Sequence, residues 1–477
     1  MEGFIAVFDI GKSNKKFLVF SENLEPIYSE SIRIDEIRVD NLICDDAESM
    51  LLWMRAKLVD ACKKWPIKAL SITTFGATFA NLKSGRLRLP VISYNQEVER
   101  QIKEKFYAEF GSPLELYMLT GTPPYGQLLN AGIQAFWIRE KFPEIFNDVD
   151  EILFLPQYLT YALTGLKSSE VTSLGCHTYL YDITRRGWSS VAEELRVNVR
   201  SPKIFDVWSP IGEFKIESLN LLVTPGIHDS NACLLPYIIR GGDFLLASTG
   251  TWCVFMYPTE DFRPRREDLY RDVLYYVDAY SRPVRSSRFK GGFEYDHYKM
   301  IIEKKFAVKP ENINLDINVL KEILRRKDII TPGLVEGSGQ FQGSKARIIG
   351  EMFHIGAKEA YHLLNLYLAV ESYVAINLIA GERNVDIIVQ GGFAKNNIYL
   401  TALSALFPES KILRATFPEA TGLGAALCAK CALNEIKPHE MAKDLTLISE
   451  EVPKLSLDMD DLKEYLETFI NEASFSR

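Results

Sequence analysis

Apolar residues in this chain gather into short continuous runs closed by small or polar residues. Between these runs lie longer stretches whose apolar positions recur three and four apart. The first pattern predicts buried strands and the second predicts helices. Phe4 to Asp9 is one such run; it empties into a polar turn, DIGKSNKK, and Phe17 to Phe20 resumes a strand. A helix is expected from about Asp46 to Trp65, and a strand from Ala69 to Thr74, ending at Phe75-Gly76. Helical spacing returns over Leu129 to Phe142 and over Glu151 to Gly165, with Gly165 as a C-cap. An apolar stretch, LLVTPG, leads into IHDSNACLLPYI (Ile227 to Ile238), a loop entering a helix.

The second half repeats the opening pattern. A strand (Phe244 to Ala247) meets a Ser/Thr/Gly turn (Ser248 to Thr251), and another strand follows (Cys253 to Tyr257). Later come a long helix (Met352 to Ile379), a strand (Val385 to Gln390), the turn GGFAKNN and a further helix. A strand (Lys411 to Phe417), a helix rich in Gly and Ala (Glu419 to Leu433) and a polar, peripheral tail after Pro438 close the chain. Strands alternating with helices predict an α/β fold. The repeated unit predicts two similar domains, 1–240 and 241–477, meeting at a cleft, with the boundary near Arg240 to Asp243.

Composition narrows the function classes. With 47% hydrophobic and 25% charged residues, the 477-residue chain has the make-up of a soluble globular protein. A formal net charge of -8 argues against a nucleic-acid partner. It does not argue against a phosphate ligand, because backbone N–H groups can build such a site locally. The start, MEGFIAVFDIG, lacks a basic leader, and no apolar run reaches the ~18 residues that span a bilayer. No membrane association is expected, and a cytoplasmic location is the default. The seven cysteines are scattered and odd in number, unlike a disulfide framework. Cys428 and Cys431 read as packing residues, since no second ligand pair stands at zinc-site spacing.

Four short segments carry candidate chemistry. Asp9, Gly11, Ser13, Asn14 and Lys16 lie on the first turn: a glycine lets backbone approach a phosphate, hydroxyl and ammonium groups donate to it, and a carboxylate can hold Mg²⁺. The same residues would also serve an ordinary hairpin. Ser248 to Trp252, with Thr251, offers a second hydroxyl-bearing turn. Gly391 and Gly392 end a strand where a ligand could come close, or where the backbone needs a positive φ. No Walker A sequence is present. In GIHDSNA, Asp229 stands where α/β proteins place ligands and could accept a proton from a hydroxyl; it could equally cap a helix. His228 could donate to a substrate hydroxyl or be a buried, satisfied histidine.

Taken in order, these segments resemble the FGGY carbohydrate kinases across most of the chain. DIGKSNKK resembles their first phosphate turn, STGTW the second, GIHDSNA the catalytic loop, and GGFAKN with EATGLGAAL the adenosine side. FGATFANLKSGRLRLPVISYNQ, LPQYLTYALTGLKSSEVTSLGCHTYLYD and Trp188 resemble the rhamnulokinase and fuculokinase branch. The resemblance implies two actin-like (ribonuclease H-like) domains around an ATP and sugar cleft. It implies Asp229 as catalytic base, Gly76 and His228 as sugar contacts, and Asp9 as the Mg²⁺-phosphate carboxylate. Gly11, Ser13, Thr251 and Gly391 would contact ATP. The implied acceptor is a ketose or deoxyketose such as rhamnulose or fuculose; another ketose, a polyol, an aldose, or a silent binding regulator are the alternatives. Homodimers are common in the family, but no interface is legible here. Three departures stand out. Tyr94 to Gln96 reads YNQ where the branch has Y-R-D. SSRFKGGFE replaces N-x-T-N-E-G-G, and Lys12 replaces a small residue.

Overall fold

The computed structural model describes residues 3–474 except 382, 418, 444 and 446–448. The N-terminal apolar run is strand β1 (Phe4–Ile10), which turns back as β2 (Asn14–Ser21) and continues into a polar edge strand, β3 (Pro26–Arg33). Helix α1 (Ala47–Lys64) follows the predicted span. The Asp46 carboxylate caps it, accepting from the Ser49 N–H at 3.0 Å, and Lys63 and Lys64 close its last turn. Met50, Met54, Leu58 and Ala61, spaced three or four apart, form its buried stripe. Strand β4 (Ile67–Thr74) then runs parallel to β1.

Residues 75–211 make a long excursion with its own core around Phe106, Phe136 and Tyr179. Within it, the stretch expected as one helix from Glu151 divides. Glu151–Phe154 is a strand paired with Phe79–Lys83, and only Leu155–Thr164 is helical. Pro156 lies in the first helical turn, where its missing N–H costs nothing, and Gly165 ends the helix at φ 83. The chain returns through β5 (Gly212–Ile216), β6 (Leu219–Val223) and the two-residue β7 (Ile227–His228), both β6 and β7 parallel to β4. Helix α2 (Asp229–Arg240) leads away, and residues 241–243 carry the chain to a second sheet.

That sheet contains β8 (Phe244–Thr249), β9 (Cys253–Pro258), β10 (Val273–Val277) and β11 (Pro283–Phe289). After the helices α3 (Gly291–Phe306) and α4 (Ala357–Ala380) it gains β12 (Asp386–Gly391). Helix α5 (Asn397–Leu406), β13 (Ile412–Ala415), α6 (Ala420–Asn434), β14 (Ser449–Glu451) and α7 (Met459–Ser474) complete the chain. One order, an antiparallel meander followed by parallel strands, appears twice: β3-β2-β1-β4-β7 in the first sheet and β11-β9-β8-β12-β13 in the second. This is the α/β, two actin-like-domain fold that the resemblance implied.

Helices α2 and α6 lie between the sheets. Ala232, Leu235, Leu423 and Leu427 share a core with β1 and β2, and on the other side Cys233, Leu234 and Tyr237 share one with β8 and β9. The two helices are so close that a Cβ on Gly424 would lie 1.7 Å from the Ala232 carbonyl oxygen. Cys428 and Cys431 are buried in α6.

Two further expectations are corrected. The long helix starts at Ala357, because Gly356 is extended and separates it from the short helix Met352–Ile355. The stretch after Pro438 is not peripheral: β14 extends the second sheet, and α7 buries Leu462, Tyr465 and Phe469 in its core. Helix α4 is long and apolar enough to cross a membrane by composition, but 78% of its apolar window is buried inside the fold.

Candidate active site

Three parallel strand ends of the first sheet build one side of the site. Register places Asp9 of β1 beside Thr73 of β4 and Ile227 of β7, with Ile10, Thr74 and His228 in the next row. Asp229 follows at once as the first residue of α2; His228 occupies the N-cap position. The Asp229 carboxylate therefore does not cap the helix. Its Oδ1 accepts from the Ser230 N–H at 2.6 Å and the Ser230 hydroxyl at 3.2 Å, while Oδ2 has no partner among the described residues. The side chain is 32% exposed.

His228 is held from two directions. Its N–H donates to Thr172 Oγ1 at 3.0 Å, and Thr172 donates in turn to the buried carboxylate of Glu170. Burial pushes the Glu170 carboxyl up, opposed by the donors of Ser173 and Thr172. The imidazole Nε2 lies 3.3 Å from Asp229 Oδ1. On its other side stands Gly76, where a Cβ would come within 2.8 Å of the same Nε2. A side chain there would displace the imidazole. Gly76, His228 and Asp229 thus form one cluster.

The first turn closes the floor. Lys16 is paired with Asp9 in register, and its Nζ reaches Glu419 Oε2 at 2.8 Å, at the head of α6. Gly11 packs tightly, Ser13 and Asn14 are exposed, and Asp9 is half-buried. Burial pushes the Asp9 carboxyl up to about 7; the Asp229 charge adds to the shift and Lys16 opposes it.

The second sheet supplies a separate cavity of about 870 Å³, lined by Thr251, Gly392, Asn396, Tyr295 and Thr249 among others. At its edge Gly391 has φ 85, and a Cβ there would lie 2.0 Å from the Thr249 carbonyl oxygen. Only glycine suits this position. Thr249, which the sequence reading did not single out, fixes that corner: its hydroxyl donates to the Gln390 carbonyl at 2.5 Å and accepts from the Phe393 N–H at 2.9 Å.

Two further residues matter here: Lys12, which the sequence marks only as a departure, and Glu419. Lys12 extends its Nζ to Asp45 Oδ1 at 2.6 Å, Glu36 Oε1 at 2.8 Å and Ser93 Oγ at 2.8 Å. The same ammonium lies 4.8 Å from the Phe75 ring centroid and 4.3 Å from that of Tyr94. Lys12 thereby ties the first turn to the loop beside Gly76. Glu419 had no signal beyond its place in EATGLGAAL, since its partner is 403 residues away.

Comparison with known proteins gives the same picture. Residues 4–199 match the FGGY family of carbohydrate kinases, N-terminal domain, and residues 241–438 match Carbohydrate kinase FGGY, C-terminal domain. An L-fuculokinase of Salmonella typhi is 27% identical over 209 residues, covering 42% of this chain and 43% of the relative. A rhamnulokinase of Halalkalibacterium halodurans is 23% identical over 260 residues, covering 51% of this chain and 54% of the relative. The chain thus spans about half the length of the curated relatives it matches. The crystal structure of a carbohydrate kinase from Novosphingobium aromaticivorans is similar over 99% of this chain and 98% of that one, with TM-score 0.83 and 25% identity.

Proposed function

Because the chain belongs to the FGGY family of carbohydrate kinases, we propose that it transfers the γ-phosphate of ATP to a hydroxyl of a small sugar. Asp229 carries this reading: a carboxylate with an unpartnered oxygen, at a strand-to-helix junction beside His228 and Gly76. A sugar hydroxyl is a weak nucleophile, and phosphoryl transfer to it needs an acceptor for its proton. Asp229 takes that proton as the hydroxyl oxygen bonds to phosphorus and ADP leaves. His228 donates to the acceptor, and the Gly76 backbone borders it. In this reading residues 1–240 hold the sugar and the base, and residues 241–477 hold the nucleotide. Thr251, Gly391 and Gly392 contact ATP from the large cavity, while Gly11, Ser13, Asn14 and Lys16 approach its phosphates.

The residues fit Mg²⁺. Asp9 offers carboxylate oxygens, the donor type this ion prefers, within the field of Asp229. No cluster of three or more potential protein ligands exists among the described residues, so Asp9 would share the ion with phosphate oxygens and water. When bound, the ion would neutralise phosphate charge. The names of the relatives favour a ketose frame for the acceptor; the departures at Tyr94 to Gln96 and at Ser286 to Glu294 leave its other groups open.

The test is a coupled ADP-release assay with Mg-ATP against rhamnulose, fuculose, xylulose and ribulose, with polyols and aldoses alongside. Acceptor-dependent ADP release is expected. ATP turnover that ignores every acceptor would overturn the kinase reading.

A further inference from the structure

The end of β11 carries two cations that the reading above does not use. The Arg288 guanidinium sits 4.5 Å from the Tyr125 ring centroid and 4.7 Å from that of Trp252. Its Nε donates to Asp272 Oδ1 at 3.0 Å, and Asp272 also accepts from the Gly339 N–H at 3.3 Å. The terminal nitrogens of Arg288 have no hydrogen bond among the described residues. Lys290 holds its Nζ 5.1 Å from the same Trp252 ring, and no carboxylate pairs with it among the described residues. Both cations line a cavity of about 640 Å³ that also takes in Tyr125, Trp252 and Asp272, with exposed Glu336 at the rim.

Tyr125 carries this cavity wall on to His177. The Tyr125 hydroxyl is buried without a partner, and its ring lies 5.3 Å from that of His177. His177 Nδ1 is likewise buried and unpaired. Its backbone is left-handed at φ 58, a strained state for a non-glycine residue. Burial pushes the His177 imidazole well down, with the charges of Arg288 and His228 adding to the effect. His228 touches Asp229. A guanidinium fixed by ring faces and one carboxylate, with its outer edge open, is preorganised for a planar anion.

We propose that Arg288 and Lys290 bind a carboxylate of the acceptor, so that the sugar phosphorylated here is a sugar acid. This rests on the kinase reading, narrows it, and adds to the sugar contacts of residues 1–240 two cations from residues 241–477. The two cations, set against Asp272 and the rim carboxylate Glu336, leave no excess positive charge, which disfavours a dianionic phosphate more than a carboxylate.

The test pairs acids with neutral partners: D-gluconate with D-sorbitol and D-fructuronate with D-fructose, with D-fructose 6-phosphate as the phosphate arm. ADP release and calorimetric binding are both measured. For the wild type, kcat/KM is expected to favour each acid by about 10- to 100-fold over its neutral partner, the range of hydrogen bonds to charged groups. Arg288→Met should abolish this preference and Lys290→Gln should reduce it, with KM for ATP unchanged. The double variant Arg288→Met, Asp272→Asn removes both buried charges together and guards against misfolding. Preference for the neutral sugars or for the sugar phosphate overturns the proposal. So does an Arg288→Met protein whose KM for ATP rises while its acid-to-neutral ratio stands. Binding of acids without any turnover would support the carboxylate site and sink the kinase reading instead.

Discussion

Asp229 is available for chemistry because its neighbours occupy only one of its oxygens. Ser230 loads Oδ1, the N-cap role falls to His228, and Oδ2 has no partner among the described residues. Asp229→Asn keeps the shape and the Ser230 bonds but cannot accept the hydroxyl proton. Its kcat should fall by about 10²- to 10⁴-fold, the usual worth of a general base. Affinity for ATP, measured by calorimetry, should stay within about twofold, since the large cavity proposed to hold the nucleotide is lined by the second sheet and its helices. A kcat near wild type would remove Asp229 from the role. The position of Asp229 was legible because it depends on a local pattern, a short apolar strand running into a small-residue helix. Lys12 and Glu419 were not legible, because their roles depend on partners distant in sequence: Ser93 is 81 residues from Lys12, and Lys16 is 403 from Glu419.

Strands and helices with strong local signals fall close to their expected places, and misreadings follow where packing overrides the pattern. Residues Glu151–Phe154 have an apolar run that suits either element, and pairing with Phe79–Lys83 decides for a strand. The tail after Pro438 looked polar because α7 has only one buried stripe: Leu462, Tyr465, Phe469 and Ala473, three or four apart, among acidic and exposed positions. Phe469 is fully buried, its ring 5.7 Å from Phe341 and 6.3 Å from Tyr367. Phe469→Ala should therefore cost about 3–5 kcal/mol in denaturant unfolding. A loss below about 1 kcal/mol would restore the peripheral view of the tail. Helices α3 and α4 carry a second testable feature. Tyr367 donates to the carboxylate of Glu294, and burial raises that carboxyl from 4.5 to about 7 despite this bond; the buried carboxyl of Glu371 is pushed up with it, by burial and by the Glu294 charge. Folded Glu294 then keeps a proton that the unfolded chain releases near 4.5. Its contribution is full below that value and is lost as pH rises through 7. Between pH 5 and 8 the wild-type Tm should fall by about 3–6 °C relative to Glu294→Gln, and parallel curves would mean that the group is solvated.

At the scale of the molecule, two short turns hinted at duplication, and the repeated strand order bears the hint out. What the pattern could not convey is how the halves meet. Helices α2 and α6 share one interface between the sheets, set by close glycine contacts that no periodicity reports. The consequence is functional. Asp9, Lys16 and Asp229 hang from the first sheet, whereas the 870 Å³ cavity is lined by the second sheet and its helices, and none of those three residues lines it. A γ-phosphate anchored in that cavity is expected to meet Asp229 as the halves approach about the α2–α6 contact, which would also exclude water as a rival acceptor. Small-angle scattering should accordingly show a smaller radius of gyration with a non-hydrolysable ATP analogue, Mg²⁺ and acceptor together than with the nucleotide alone. In the same protein, ATP hydrolysis without acceptor should run at least about 100-fold slower than phosphorylation, because closure and a hydroxyl in place are both required. An unchanged radius with fast acceptor-free hydrolysis would mean that the halves already stand in their working arrangement and that water reaches the phosphate freely.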